Sequence, residues 1–241
     1  MDDRNGPVTF DRLRAEVDDR RKRVTVYASD EPDVLEYFDG RNVTVDRRTL
    51  PGTGPGFVVV HDQDGFAGAV SLETLRDLVE PPVPRPWDPT ILASGYRTLF
   101  ELLENAIFVS LDRGQLLAAS REIENRAWRV GRGTLLVGFQ RPEAFERQRP
   151  LYEELVEGTA LEVHVYVREG DDVPSPEELR MHACGGEIGA YWFLAFDGDG
   201  DDEQQCALLA EEVTPGAYDG FWTYDPALVE ELSAYVRRTY G

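Results

Sequence analysis

The chain has 241 residues, with 46 acids against 25 bases and a formal net charge of −21. That length suits one large domain or two small ones and is ample for a sizeable core. The acid excess leaves no basic stripe to displace counterions from phosphates, which argues against direct DNA or RNA binding.

Lys22 is the sole lysine, so the other 24 bases are arginine. Acid excess with almost no lysine is read as adaptation to a cytoplasm of molar salt. At about 1 M salt the Debye length falls to roughly 3 Å, and self-repulsion is largely screened. Cys184 and Cys206 rule out a dense disulfide framework and any CxxC motif. No apolar run approaches the roughly 20 residues of a membrane span. The opening Met1-Asp-Asp-Arg-Asn lacks a signal-peptide profile, so the expected location is cytoplasmic.

In chain order, residues 8–22 read as an amphipathic helix with Val8, Leu13 and Val17 on one side. Val24–Ala28 reads as a strand, Asp30–Phe38 as a short helix and Asn42–Val45 as a second strand. The apolar run Phe57–His61 predicts a buried strand. Asp64-Gly65 then turns the chain into Phe66–Val70. A helix follows Ser71, with Leu72, Leu75 and Leu78 at helical spacing. Five prolines in Glu80–Pro89 predict a stiff connector. The division is therefore an α/β segment at 1–80, a connector at 81–89 and a second unit at 90–241.

Beyond the connector, Thr90–Asn105 predicts a helix, Ile107–Val109 a strand and Arg113–Val130 the longest helix, closed by Gly131 and Gly133. Thr134–Phe139 is a strand and Pro142–Glu157 another helix. In Leu161–Val167 the valines face one way and Glu162, His164 and Tyr166 the other. Glu187–Phe196 and Gln204–Ala210 form a hairpin around an acidic loop. Phe221–Tyr224 is the last strand, and Asp225-Pro226 opens a terminal helix. The class is α+β (mixed α/β), with too many hairpins for an all-parallel sheet.

The long helix directs Leu116, Ala119 or Ser120, Ile123, Ala127 and Val130 to a core, leaving Arg121, Glu122, Asn125, Trp128 and Arg129 to flank or oppose that stripe. Two readings stand: Glu122 and Arg126 form a surface i,i+4 pair, or Arg121 and Trp128 line a cleft for an anionic ligand group. Trp222 and Tyr224 share one face of their strand, either as packing or as a pocket wall. His182 and Cys184 share a strand face, but nothing in their spacing with Cys206 demands a metal. Asp197–Glu203 misses the glycine and glutamate of a calcium loop. P-loop, G-x-S-x-G and H-E-x-x-H patterns are all missing. The expectation is a protein without catalytic residues, metal or cofactor.

Ser120–Gly131, Gly138-Phe-Gln140, Cys206–Glu212 and Gly220–Pro226 together resemble the DICT sensory domain, in its stand-alone haloarchaeal form. The resemblance implies a signal-input domain of α+β type with a sheet of about four strands in the C-terminal part. It also implies a role in environmental, including light, response, with output through a histidine kinase, receiver or regulator, or through a small effector. The ligand-binding candidates are Arg121, Glu122, Asn125, Trp128, Gln140, Trp222 and Tyr224. The alternative is an adaptor that docks a kinase or transcription factor on the exposed face of the long helix, with no small ligand.

Overall fold

Period-two alternation of apolar residues shapes strands such as Ala160–Arg168, while Tyr191–Phe196 is buried along its whole length. A computed structural model of the chain describes residues 9–18, 22–29, 38, 43–52, 56–62, 65–79, 107–170 and 178–241. The expected helix at 90–105, the connector at 81–89 and all of the 30–38 helix except Phe38 lie outside the described residues.

The elements run α1 (Phe10–Asp18), β1 (Lys22–Ala28), β2 (Val43–Thr49), β3 (Phe57–Asp62), β4 (Gly65–Ser71), α2 (Leu72–Val79), β5 (Ile107–Asp112) and α3 (Arg113–Val130). Then come β6 (Arg132–Phe139), α4 (Pro142–Glu146), α5 (Arg149–Gly158), β7 (Ala160–Arg168), β8 (Arg180–Cys184), β9 (Tyr191–Phe196), β10 (Cys206–Thr214), β11 (Ala217–Thr223) and α6 (Pro226–Tyr240). The smaller sheet has the order β2-β1-β3-β4 and the larger β5-β11-β10-β9-β6-β7-β8. Both are mixed: β1/β2, β6/β7 and β7/β8 pair in parallel, and the remaining pairs are antiparallel.

The α+β class is borne out, but the larger sheet has seven strands where about four were expected. The sequence segments for most of these strands were visible; that β5 and β8 attach at opposite edges is decided by pairing alone. The single helix expected over 142–157 is two. Pro150 sits in the first turn of α5, where its missing N–H does no harm, and the chain breaks at Arg147-Gln148 just before it.

Strands β6 to β11 of the larger sheet feed two cores. Leu135, Val137, Phe139, Val163, Val165, Trp192, Leu194, Leu208 and Trp222 face α3, α4 and α5. Leu136, Tyr166, Phe193, Leu209 and Phe221 face α1 and α6. Val24, Val26, Val58 and Val60 of the smaller sheet join the first of these clusters. Helix α1, although within 1–80, packs on the larger sheet. Phe10 is fully buried and contacts Tyr191, Phe193 and Tyr235 at centroid separations of 4.8, 5.6 and 5.1 Å.

Two helix N-caps are formed: Ser71 Oγ accepts from Thr74 N at 3.0 Å, and Asp225 Oδ1 from Ala227 N at 2.9 Å. Among the described residues no helix is long and apolar enough to cross a membrane.

Candidate functional site

Helix α3 is the centre of the candidate site, and it is buried almost all round. Leu116, Ala119, Ile123 and Ala127 meet the sheet as the helical spacing predicts. The opposite side, expected to face solvent or a cleft, is also covered. Ser120, Arg121, Glu122, Glu124, Asn125 and Arg126 are each at most 7% exposed. Glu122 and Arg126 are therefore not a surface pair, and α3 offers no exposed face from Ala118 to Ala127 on which a kinase or regulator would dock. Periodicity reports the preferred apolar face; it is silent about a second layer over the polar face.

Arg121 Nη1 donates to Glu124 and Nη2 to Gln148, while the Tyr152 hydroxyl donates to Glu124 Oε1 at 2.6 Å. Glu124 has no exposure. This charged cluster joins α3 to α5, so the guanidinium expected to meet an anionic ligand already has a carboxylate. Burial, reinforced by that carboxylate, pushes the Tyr152 phenol well above its ordinary range. Sequence reading missed Glu124, Gln148 and Tyr152. The i,i+3 spacing of Arg121 and Glu124 was a signal, but spacing does not reveal burial.

The other candidates also have structural partners. Trp128 is half-buried over Gly158, where an added Cβ would lie 2.4 Å from the indole. Gln140 Nε2 donates to the Ala190 carbonyl at 2.9 Å. Gly138 lies beneath the Phe193 ring, which leaves 2.0 Å for a Cβ. Trp222 is 3% exposed in the core, with α3 packed across β11. Asn125 is buried as well. The tryptophan helix and the aromatic strand thus meet, but in contact. Arg126 closes the junction: its guanidinium lies 4.4 Å over the Tyr224 ring, and Nη1 donates to the Glu203 carbonyl at 2.8 Å.

Two hollows among the described residues lie one step away, on either side of the loop between β9 and β10. One, of about 320 Å³, is lined by Asp197, Gln205, Ser233 and Arg237 among others. The second, of about 350 Å³, is lined by Arg129, Arg132, Asp199, Asp201 and Gln204 among others. The loop's carboxylates hold its own shape. Asp197 Oδ1 accepts from Thr134 N at 2.8 Å and Asp199 N at 3.1 Å, and Asp199 pairs with Arg132. Asp199 itself sits at φ +56°, a left-handed conformation that aspartate tolerates better than most residues. Gly133 runs so close that an added Cβ would lie 2.6 Å from Asp197 Oδ1.

The two cysteines are on different faces of the sheet. Cys206 belongs to the α3 core and Cys184 to the α6 core, so the sulfur and imidazole groups weighed for a metal do not converge. Burial raises the Cys206 thiol to about 12 and Cys184 to about 11. Among the described residues, no three His, Cys, Asp or Glu side chains are grouped to hold a metal ion.

Fold and site together define a mixed α+β domain whose charged helix is an internal element, with open hollows around one acidic loop. A family model described as DICT, the sensory domain in diguanylate cyclases and two-component systems, matches residues 92–213. The chain belongs to this DICT family, a sensory domain of signalling proteins. The Gly220–Pro226 motif lies beyond the matched residues. No curated protein matches the chain. Among solved structures, the polyphosphate kinase from Porphyromonas gingivalis is similar at 14% identity and a TM-score of 0.36, covering 94% of this chain and 48% of that one. The chain spans about half the length of that kinase, and so slight a likeness carries no argument.

Proposed function

We propose that this DICT protein is a non-enzymatic, cytoplasmic signal-input protein of a halophilic archaeon, and that its effector is a small polar molecule bound beside the Asp197–Gln205 loop. The single observation that carries the reading is the Arg126 bridge. This buried arginine of α3 grips the loop backbone at Glu203 and the aromatic strand at Tyr224. An effector that moves the loop must alter the position of α3, a change that a two-state domain transmits to a signalling partner. The halophilic habitat is supported by the charge of −21 and the single lysine. A light-responsive version requires a bound chromophore, and purified protein without a visible absorption band would exclude it.

The test is a thermal-stability screen of polar metabolites in molar salt. An effector present at 100 times its Kd raises stability by about 2.7 kcal/mol. Arg132→Ala, at the rim of one hollow, is expected to weaken binding, while Trp128→Phe, packed on Gly158, is not. A broad screen without any shift removes the small-molecule reading. Pull-down from salt-adapted lysate then tests whether the output partner alone occupies the loop.

A further inference from the structure

The α6 side of the larger sheet carries a second group of titratable residues. Strand β8 is the sheet edge, five residues long and paired on one side only, in parallel with β7. The register sets His164 opposite Arg180 and Tyr166 opposite His182. Alternation then brings Glu162, His164 and Tyr166 of β7 to the same face as Arg180, His182 and Cys184 of β8. His164 Nδ1 lies 3.0 Å from His182 Nε2, and His164 Nε2 lies 2.9 Å from Glu162 Oε1. The His182 ring stacks on Tyr166 at 4.5 Å and 10°, and lies within 7° of parallel to His164. Two of the three histidines in the chain are thus in direct contact.

This arrangement suits a proton better than a metal. Glu162 occupies the ring nitrogen of His164 that points away from His182, so carboxylate and His182 meet opposite sides of one imidazole and do not converge. With both rings neutral, His164 donates from Nε2 to Glu162 and accepts at Nδ1 from His182. With one proton added, one nitrogen of the pair still accepts. With two, an N–H faces an N–H across 3.0 Å and the contact fails.

We infer that His164 and His182 form a proton-dependent latch holding β8 against β7, and that the sheet edge loosens when both imidazoles carry a proton. Charged and titratable groups face the pair from both strands and from α6. Glu162 contacts His164. Arg180 on β8 also pairs with Glu162 and opposes a proton on His182, while Arg237 of α6 acts on Glu162 and Tyr166. Tyr166 and Cys184, each pushed up by burial, stay neutral. Burial, then the charge of His164, then Arg180 hold His182 below the ordinary imidazole value. The folded state therefore favours neutral His182. Its contribution is full above about pH 6.5 and is lost as pH falls through the lower folded value. Cys184 of the same strand also touches the end of α6, its Sγ lying 3.8 Å from the Tyr240 carbonyl. The latch does not depend on an effector at the loop.

The test is an NMR titration of both imidazoles in the full chain, at fixed molar salt from about pH 8 to about pH 4.5, with amide exchange of residues 180–184. Two steps separated by more than about one pH unit are expected. Exchange of the β8 amides should rise roughly tenfold or more through the second step, while β9 and β10 stay protected. In His182→Asn and, separately, His164→Asn, the remaining imidazole should titrate in a single step with β8 exchange no longer following it. Two independent ordinary titrations with β8 unchanged would overturn the inference, as would simultaneous loss of protection across all seven strands.

Discussion

The two faces of the seven-stranded sheet treat charge in opposite ways. On the α3 face, Arg121, Glu124 and Tyr152 are sealed from water and hydrogen-bonded to one another. On the α6 face, Glu162 and Arg180 are open to solvent and the imidazoles beside them are partly enclosed. Buried charge with complete partners has one arrangement, and breaking it strands an ion in a low-dielectric core. Half-buried imidazoles have several protonation states of similar energy. The first face therefore fixes geometry, and the second is the one able to respond.

The sharpest way to break this contrast is Glu124→Ala. It leaves Arg121 buried without its carboxylate and should reduce unfolding free energy by about 3–5 kcal/mol in denaturant titrations. An effect below about 1 kcal/mol would mean that water reaches the cluster and that the two faces are alike. Tyr152→Phe removes one hydrogen bond to a charged acceptor and should cost about 1.5–3 kcal/mol by the same measurement. Gly138→Ala probes packing without charge. The new Cβ would meet the Phe193 ring at 2.0 Å, a clash expected to cost roughly 1–3 kcal/mol unless the ring rotates away. On the α6 side, Asp225→Ala removes the helix cap and should cost about 1 kcal/mol. The smallest effect concerns the thiols. Cys206 and Cys184, raised to about 12 and about 11, should resist alkylation at neutral pH in the native protein and react after denaturation; rapid native labelling of Cys184 would show that the β8 edge is already open.

Much of the architecture was legible. Arg113–Val130 is the predicted long helix, because cap glycines and an apolar stripe agreed there. The alternation of Leu161–Val167 correctly placed Glu162, His164 and Tyr166 on one side, and Trp222 and Tyr224 share a face as their spacing required. The candidate site fared differently. Arg121, Glu122, Asn125 and Trp222 are where the pattern puts them along their elements, yet they are interior residues. Two hollows lie instead beside Arg129, which is inside the Ser120–Gly131 motif but was not among the ligand candidates, and beside Arg132 and Arg237, which no motif marked.

Local chemistry determined the elements, their caps and the family likeness, because those depend on residues a few positions apart. The covering of the polar side of α3, the closure of the junction by Arg126 and the meeting of His164 with His182 depend on residues 18 to 98 positions apart. Such contacts are set by strand order and register, which short-range periodicity does not encode. A charged side chain reads the same in sequence whether water or a second layer of protein lies above it; only the tertiary structure decided which.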